Sequence, residues 1–177
     1  MPDNKGNLYL FEAIELRNEY DRHIKLLEKL TQGDQNKSDR FFNNRDEEEG
    51  EAASDFNQKE LEEKLKRLQI KRVKLNQAIQ VANFKYQIDY DGEKISIAEA
   101  LEIRKNLLTD VEATSKRVIN SAYKRIIHKE ERDIVHEPKH PFKQMYDSYQ
   151  NNIRKIRYIL NQIHIANHRS VVNFKEE

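Results

Sequence analysis

Glu12-Ala13-Ile14-Glu15-Leu16-Arg17 and Glu99-Ala100-Leu101-Glu102-Ile103-Arg104 are one hexapeptide written twice, with four identities and two conservative exchanges. They stand 87 residues apart. A second pair, Ile79-Gln80-Val81-Ala82-Asn83 and Ile163-His164-Ile165-Ala166-Asn167, stands 84 apart. A competing alignment sets Leu75-Asn76-Gln77 on Leu160-Asn161-Gln162 at 85. Accepting both would insert one residue into a helix and turn everything beyond it by about 100°. Apolar phase favours 84, where Leu61, Leu65, Leu75 and Ile79 fall on Met145, Tyr149, Ile159 and Ile163. The chain therefore reads as two diverged copies of one unit, 8–95 and 96–174, within a single domain over 1–177.

Working outward from the hexapeptides gives the elements. Leu10, Ala13, Tyr20, Ile24 and Leu27 recur at spacings of three and four, with Arg17 in the gap, and predict a helix from about Leu8 to Thr31. Leu61, Leu65, Leu68, Leu75, Ile79 and Ala82 follow a heptad interrupted at Arg72 and predict a second helix from about Lys59 to Ala82. Tyr86, Ile88 and Tyr90 alternate with polar residues before Asp91-Gly92, the signature of a strand entering a tight turn. Ser96 with Glu99 three residues on is a capping box, opening a third helix that the pattern carries to about Lys129. Pro138 and Pro141 exclude regular helix between His136 and Phe142. A fourth helix follows from about Lys143 to Asn167, with Met145, Tyr149, Ile153, Ile156, Leu160 and Ile163 on its stripe. Ser170 to Phe174 reads as a strand.

Between the first two helices, 32–57 loses all periodicity and carries the acidic run Asp46 to Glu51, the composition of a mobile linker with Phe41-Phe42 as its anchor. Each copy is then helix, linker, helix, strand. An αα-hairpin cannot bury its stripe alone. The expected fold is mainly α: two pseudo-repeated αα-hairpins in a four-helix arrangement, each followed by a short strand, with a small β-hairpin or sheet at one end in which the two strands can pair.

The pattern Glu-Ala-[Ile/Leu]-x-x-Arg at Glu12–Arg17 and Glu99–Arg104, the Glu49-Gly50-Glu51 of the linker, the Asp91-Gly92 turn and the pairs Ala82-Asn83 and Ala166-Asn167 resemble a bacterial family of helical proteins often labelled "septicolysin". The resemblance spans nearly the whole chain through short motifs. It implies a helical fold, a bacterial cytosolic setting and oligomers, and no established activity. The chain departs from that pattern in a longer, Asn-richer first linker.

Composition narrows the function classes. Of 177 residues, 36% are charged and 37% hydrophobic, a polar balance suited to slender helices that cover leftover apolar surface by oligomerising. Lys and Arg number 32 against 31 Asp and Glu, so net charge argues for neither nucleic acid nor acidic lipid. No run approaches the roughly 18 apolar residues of a membrane helix. Met1 to Gly6 lacks the apolar core of a secretory signal, and the chain has no Cys. A cytoplasmic homo-oligomer, with room for a protein partner, is expected.

Candidate site residues follow from the duplication. Arg17 and Arg104 occupy stripe positions where an apolar residue is expected, so each should meet a carboxylate or a bound anion. A buried or rim salt bridge is the plainer alternative and an anion site the other. Glu12 and Glu99 lie a residue off the spacing that would bond their own Arg, so they are expected to pair across helices or to cap amides. Asn83 and Asn167 suit the left-handed position that closes a helix. His164 and His168 have the i, i+4 spacing of a weak metal pair without a third ligand. Lys64, Lys66, Arg67, Lys71, Arg72 and Lys74 make the second helix basic, but Glu60, Glu62 and Glu63 precede them, as on a solvated, ion-paired face. No cofactor is expected. The chain lacks a Gly-rich phosphate loop and a catalytic set, which leaves a non-enzymatic, self-associating scaffold or regulatory subunit as the leading expectation. The alternatives are a small-anion or metal-dependent enzyme or binder with its site near Arg17 and Arg104 or the C-terminal histidines, and nucleic-acid binding through the second helix.

Overall fold

The computed structural model describes residues 7–31, 56–130 and 132–175. Phe41-Phe42 and Glu49-Gly50-Glu51 lie outside the described residues, as does nearly all of the segment expected to be a linker. The described elements run β1 (Asn7–Tyr9), α1 (Leu10–Thr31), α2 (Gln58–Lys85), β2 (Gln87–Tyr90), β3 (Glu93–Ser96), α3 (Ile97–Ala122), β4 (Arg125–Ile127), β5 (Ile134–His136), α4 (Phe142–Arg169) and β6 (Val171–Asn173). The protein is mainly helical with small antiparallel strand pairs.

It divides into two compact units, Met1–Ala82 with Val171–Glu177, and Asn83–Ser170. The first holds β6 and β1 with α1 and most of α2. Leu10, Ala13, Tyr20 and Leu27 of α1 and Leu75, Ile79 and Ala82 of α2 are its buried helical positions. The second holds the β2–β3 ribbon, α3, α4 and the β4–β5 ribbon. Ile97, Ala100, Leu107 and Thr114 of α3 and Ile159, Ile163 and Ala166 of α4 are its counterparts. Position by position these sets are related by 87 in the first helix and 84 in the second, so the copies share one core pattern. Ala13 and Ala100, both fully buried, are the equivalent small positions near the starts of α1 and α3.

The strands depart from expectation. The two terminal strands do not pair with each other; β2 pairs with β3 in the hairpin that the Asp91-Gly92 turn predicts, and β6 pairs with β1, which the sequence pattern merges into the first helix. The registers match between copies: Gln87 faces Ser96 and Ile88 faces Ile95, just as Val171 faces Tyr9 and Val172 faces Leu8. The same offsets of 84 and 87 relate the two ribbons. The last strand of each copy thus pairs with the strand that leads directly into the first helix of the other, β3 into α3 and β1 into α1. The cause is local: Asp91 and Gly92 both adopt positive φ, +55° and +85°, the conformation of the tight two-residue turn that folds β2 back on β3. A methyl group at Gly92 would meet nothing within 4 Å, so only backbone strain opposes it. Gly92→Ala is expected to cost about 1 kcal/mol in urea denaturation.

A second departure lies after α3. The helix stops at Ala122 rather than near Lys129, because Tyr123 turns extended and Arg125-Ile126-Ile127, with its two β-branched isoleucines, pairs with Ile134-Val135-His136. Lys124 bonds Glu137 at 2.6 Å and His128 Nδ1 meets Asp133 at 2.8 Å across this exposed ribbon.

Candidate functional site

The N-termini of α1 and α3 are built alike. Ser96 N–H donates to Glu99 Oε2 at 2.7 Å and the Glu99 N–H donates to Ser96 Oγ at 3.1 Å, completing the capping box. Tyr9 N–H donates to Glu12 Oε2 at 2.8 Å, the same carboxylate half of the box; Tyr9 cannot supply the hydroxyl half at that position. Glu12 and Glu99 are therefore helix caps, both exposed, and neither is recorded in an ion pair among the described residues. The Ser96 backbone amide, and then its hydroxyl, hold the Glu99 carboxyl below the ordinary glutamate range. A carboxyl with a lowered folded value adds stability above its unfolded value and loses it as pH falls through the folded one. The α3 cap is thus expected to weaken only in acid. Ser96→Ala should move the Glu99 titration part of the way back up, read by carboxyl NMR. The lost serine cap itself should cost about 1 kcal/mol.

The expected salt bridge at the repeated arginines does not form among the described residues. Arg17 is half-buried and its Nη1 donates to the amide oxygen of Asn76 at 3.5 Å. Arg104 is exposed. The difference has a local cause: the residue equivalent to Asn76, 84 further on, is Leu160, which offers no acceptor. Arg72, the interruption in the α2 heptad, bonds Asp21 Oδ1 at 2.9 Å. Its counterparts in the second copy are the buried Ile156 and the apolar Leu108, so a polar pair in one copy stands where the other is apolar.

Asn83 and Asn167 do not close their helices. Both lie inside them, as α2 continues to Lys85 and α4 to Arg169, and Asp91 is the non-glycine residue with positive φ among those described. Asn83 is buried and Asn167 half-buried. His164 and His168 are exposed, and no group of three or more His, Asp or Glu suited to a metal occurs among the described residues. On α2, Lys64 pairs with Glu60 at 2.6 Å and Arg67 with Glu63 at 3.3 Å, both widely exposed, as expected of an ion-paired face.

A different feature of α2 stands out. Ile70, Val73, Val81 and Phe84 are 57% to 70% exposed. At about 100° per residue they gather on one stripe, opposite the buried Leu75, Ile79 and Ala82. Gln77 lies mid-stripe. The equivalent positions of α4 are Arg154, Arg157, Asn161, Ile165 and His168, so the copies share their inner faces and differ on their outer ones. The signal was present in the sequence, but the inner heptad of the same helix conceals it until one face is known to be buried.

With this geometry in hand the chain can be set beside known proteins. No family model and no curated protein matches it. Among solved structures it is similar to a functionally unknown conserved protein from Corynebacterium diphtheriae, with 18% identity over 94% of this chain and 99% of that one and a TM-score of 0.69. The fold is shared. At that identity the likeness extends to nothing more. No helix among the described residues is long and apolar enough to cross a membrane.

Proposed function

We propose that this protein is a non-enzymatic, self-associating helical protein that works through protein–protein contact, as a scaffold or regulatory subunit, with the cytosol as its setting. The observation that carries the reading is the apolar outer stripe of α2. Isolated exposed apolar side chains are ordinary on a soluble surface. Four gathered on one stripe are different: flanking the exposed Gln77, these side chains present roughly 400–500 Å² together, the size of the largest patch on a typical monomer, which is often functional. The second copy supports the reading, because it keeps the same inner face yet carries arginine where α2 carries Ile70 and Val73. The outer apolar residues are thus not required by the fold of the unit. Sedimentation velocity over a concentration series tests the proposal. A mass of two or more chains at micromolar concentration is expected, and a monomer throughout would overturn it.

A further inference from the structure

The α2 stripe reads the same from either end. Ile70 and Phe84 lie equally far from Gln77 along the helix, and so do Val73 and Val81. The angular placement is symmetric too. Relative to Gln77, Ile70 and Phe84 sit about 20° to either side and Val73 and Val81 about 40° to either side. A surface of that kind is what a twofold interface requires, since one patch must complement itself under the rotation.

We infer that the occupant of this face is a second copy of the chain, docked antiparallel through α2 about a twofold axis at Gln77. The inference rests on the self-association proposed above and adds the interface and its register. Under this pairing Ile70 of one chain is level with Phe84 of the other, and Val73 with Val81. Because the angular offsets are mirrored, side chains at one level fall to opposite sides of the contact line and interdigitate rather than collide. Lys74 is level with Gln80 and Lys85 with Gln69, so no two of these lysines face each other. The two stripes together would bury roughly 800–1,000 Å² of surface, below the range of stable specific interfaces and in that of weak, transient ones, so a reversible dimer is the expected product. Gln77 meets its own counterpart at the centre, where two amides can each donate and accept. A polar pair at such a position fixes register at some cost in affinity.

Because the natural chain has no cysteine, single replacements give unambiguous cross-links. Gln77→Cys should oxidise to a covalent dimer on its own. Val73→Cys alone should not, since its two copies would lie about 12 Å apart along the axis, beyond disulfide reach. An equimolar mixture of Val73→Cys and Val81→Cys chains should cross-link between unlike chains. If Val73→Cys cross-links with itself as readily as Gln77→Cys, the pairing is parallel; the register is then wrong while self-association stands. If the wild-type protein dimerises and no variant cross-links, the dimer uses another face and the inference fails. If the wild-type protein is monomeric, both it and the proposed function fail.

Discussion

Leu75→Ala is expected to lower the free energy of unfolding by about 3 kcal/mol, and Ile159→Ala by a similar amount. Both side chains have no solvent exposure, and they are the same position of the unit, 84 residues apart. Truncation at either removes several buried carbon atoms and leaves a cavity that the flanking helix can only partly close. Val73→Ala, half a turn from Leu75 on the same helix, should cost less than about 0.5 kcal/mol once chain concentration is held low enough to favour monomer. Urea denaturation of the three variants at one concentration makes the comparison. The contrast tests the phase of the repeat as well as burial. An offset of 85 would make Leu160 the partner of Leu75, yet Leu160 is half-buried and its truncation should cost less than that of Ile159.

The second large effect concerns association. Ile70→Arg combined with Val73→Arg gives α2 the outer residues that α4 already carries as Arg154 and Arg157. Because the unit tolerates those residues in its second copy, the variant should fold and keep its helical circular dichroism. It should not pair. Burying guanidinium groups in an apolar seam without carboxylate partners costs several kcal/mol per ion. The stripe of the other chain offers none, since its remaining members are Gln77, Val81 and Phe84. Loss of affinity by at least about 100-fold is expected, which for a reversible micromolar dimer means a monomer on light scattering. A variant that stays dimeric while folded would show that α2 is not the contact.

Much of the architecture is legible in the residues, and the places where it is not share a physical reason. Helix identity, the Asp91-Gly92 turn and the Ser96–Glu99 cap depend on interactions within a few residues, and pattern alone finds them. The pairing of β1 with β6 joins residues more than 160 apart, and Asn7-Leu8-Tyr9 is too short to separate from the helix it precedes. The β4–β5 ribbon escaped because Arg125-Ile126-Ile127 follows α3 without a Gly or Pro to break the pattern. In α4, the single-helix stripe selected Leu160, whereas the repeat phase selected Ile159, and Ile159 is the fully buried one. Comparison between copies was the stronger signal because it tests two helices against one packing solution.

Among candidate sites the outcome was more mixed. Arg17 and Arg104 were singled out for sharing a stripe position, but their surroundings differ at Asn76 and Leu160, a difference no single helix reveals. Glu12 and Glu99 each accept from a backbone amide at their helix start, the amide-capping alternative that their spacing from the arginines favours. The face that carries the proposed function lay on α2 beside residues read for their positive charge. With Gln77 included its members are spaced by three and four like those of the inner stripe, so the composition of the helix alone does not separate the two.

Sedimentation equilibrium of the wild-type chain at micromolar concentrations, beside the Ile70→Arg/Val73→Arg variant, addresses self-association through α2 most directly. The account predicts a reversible monomer–dimer equilibrium for the wild type and a monomer for the variant. A wild type that is monomeric at every concentration, or a variant that associates as strongly as the wild type, would contradict it.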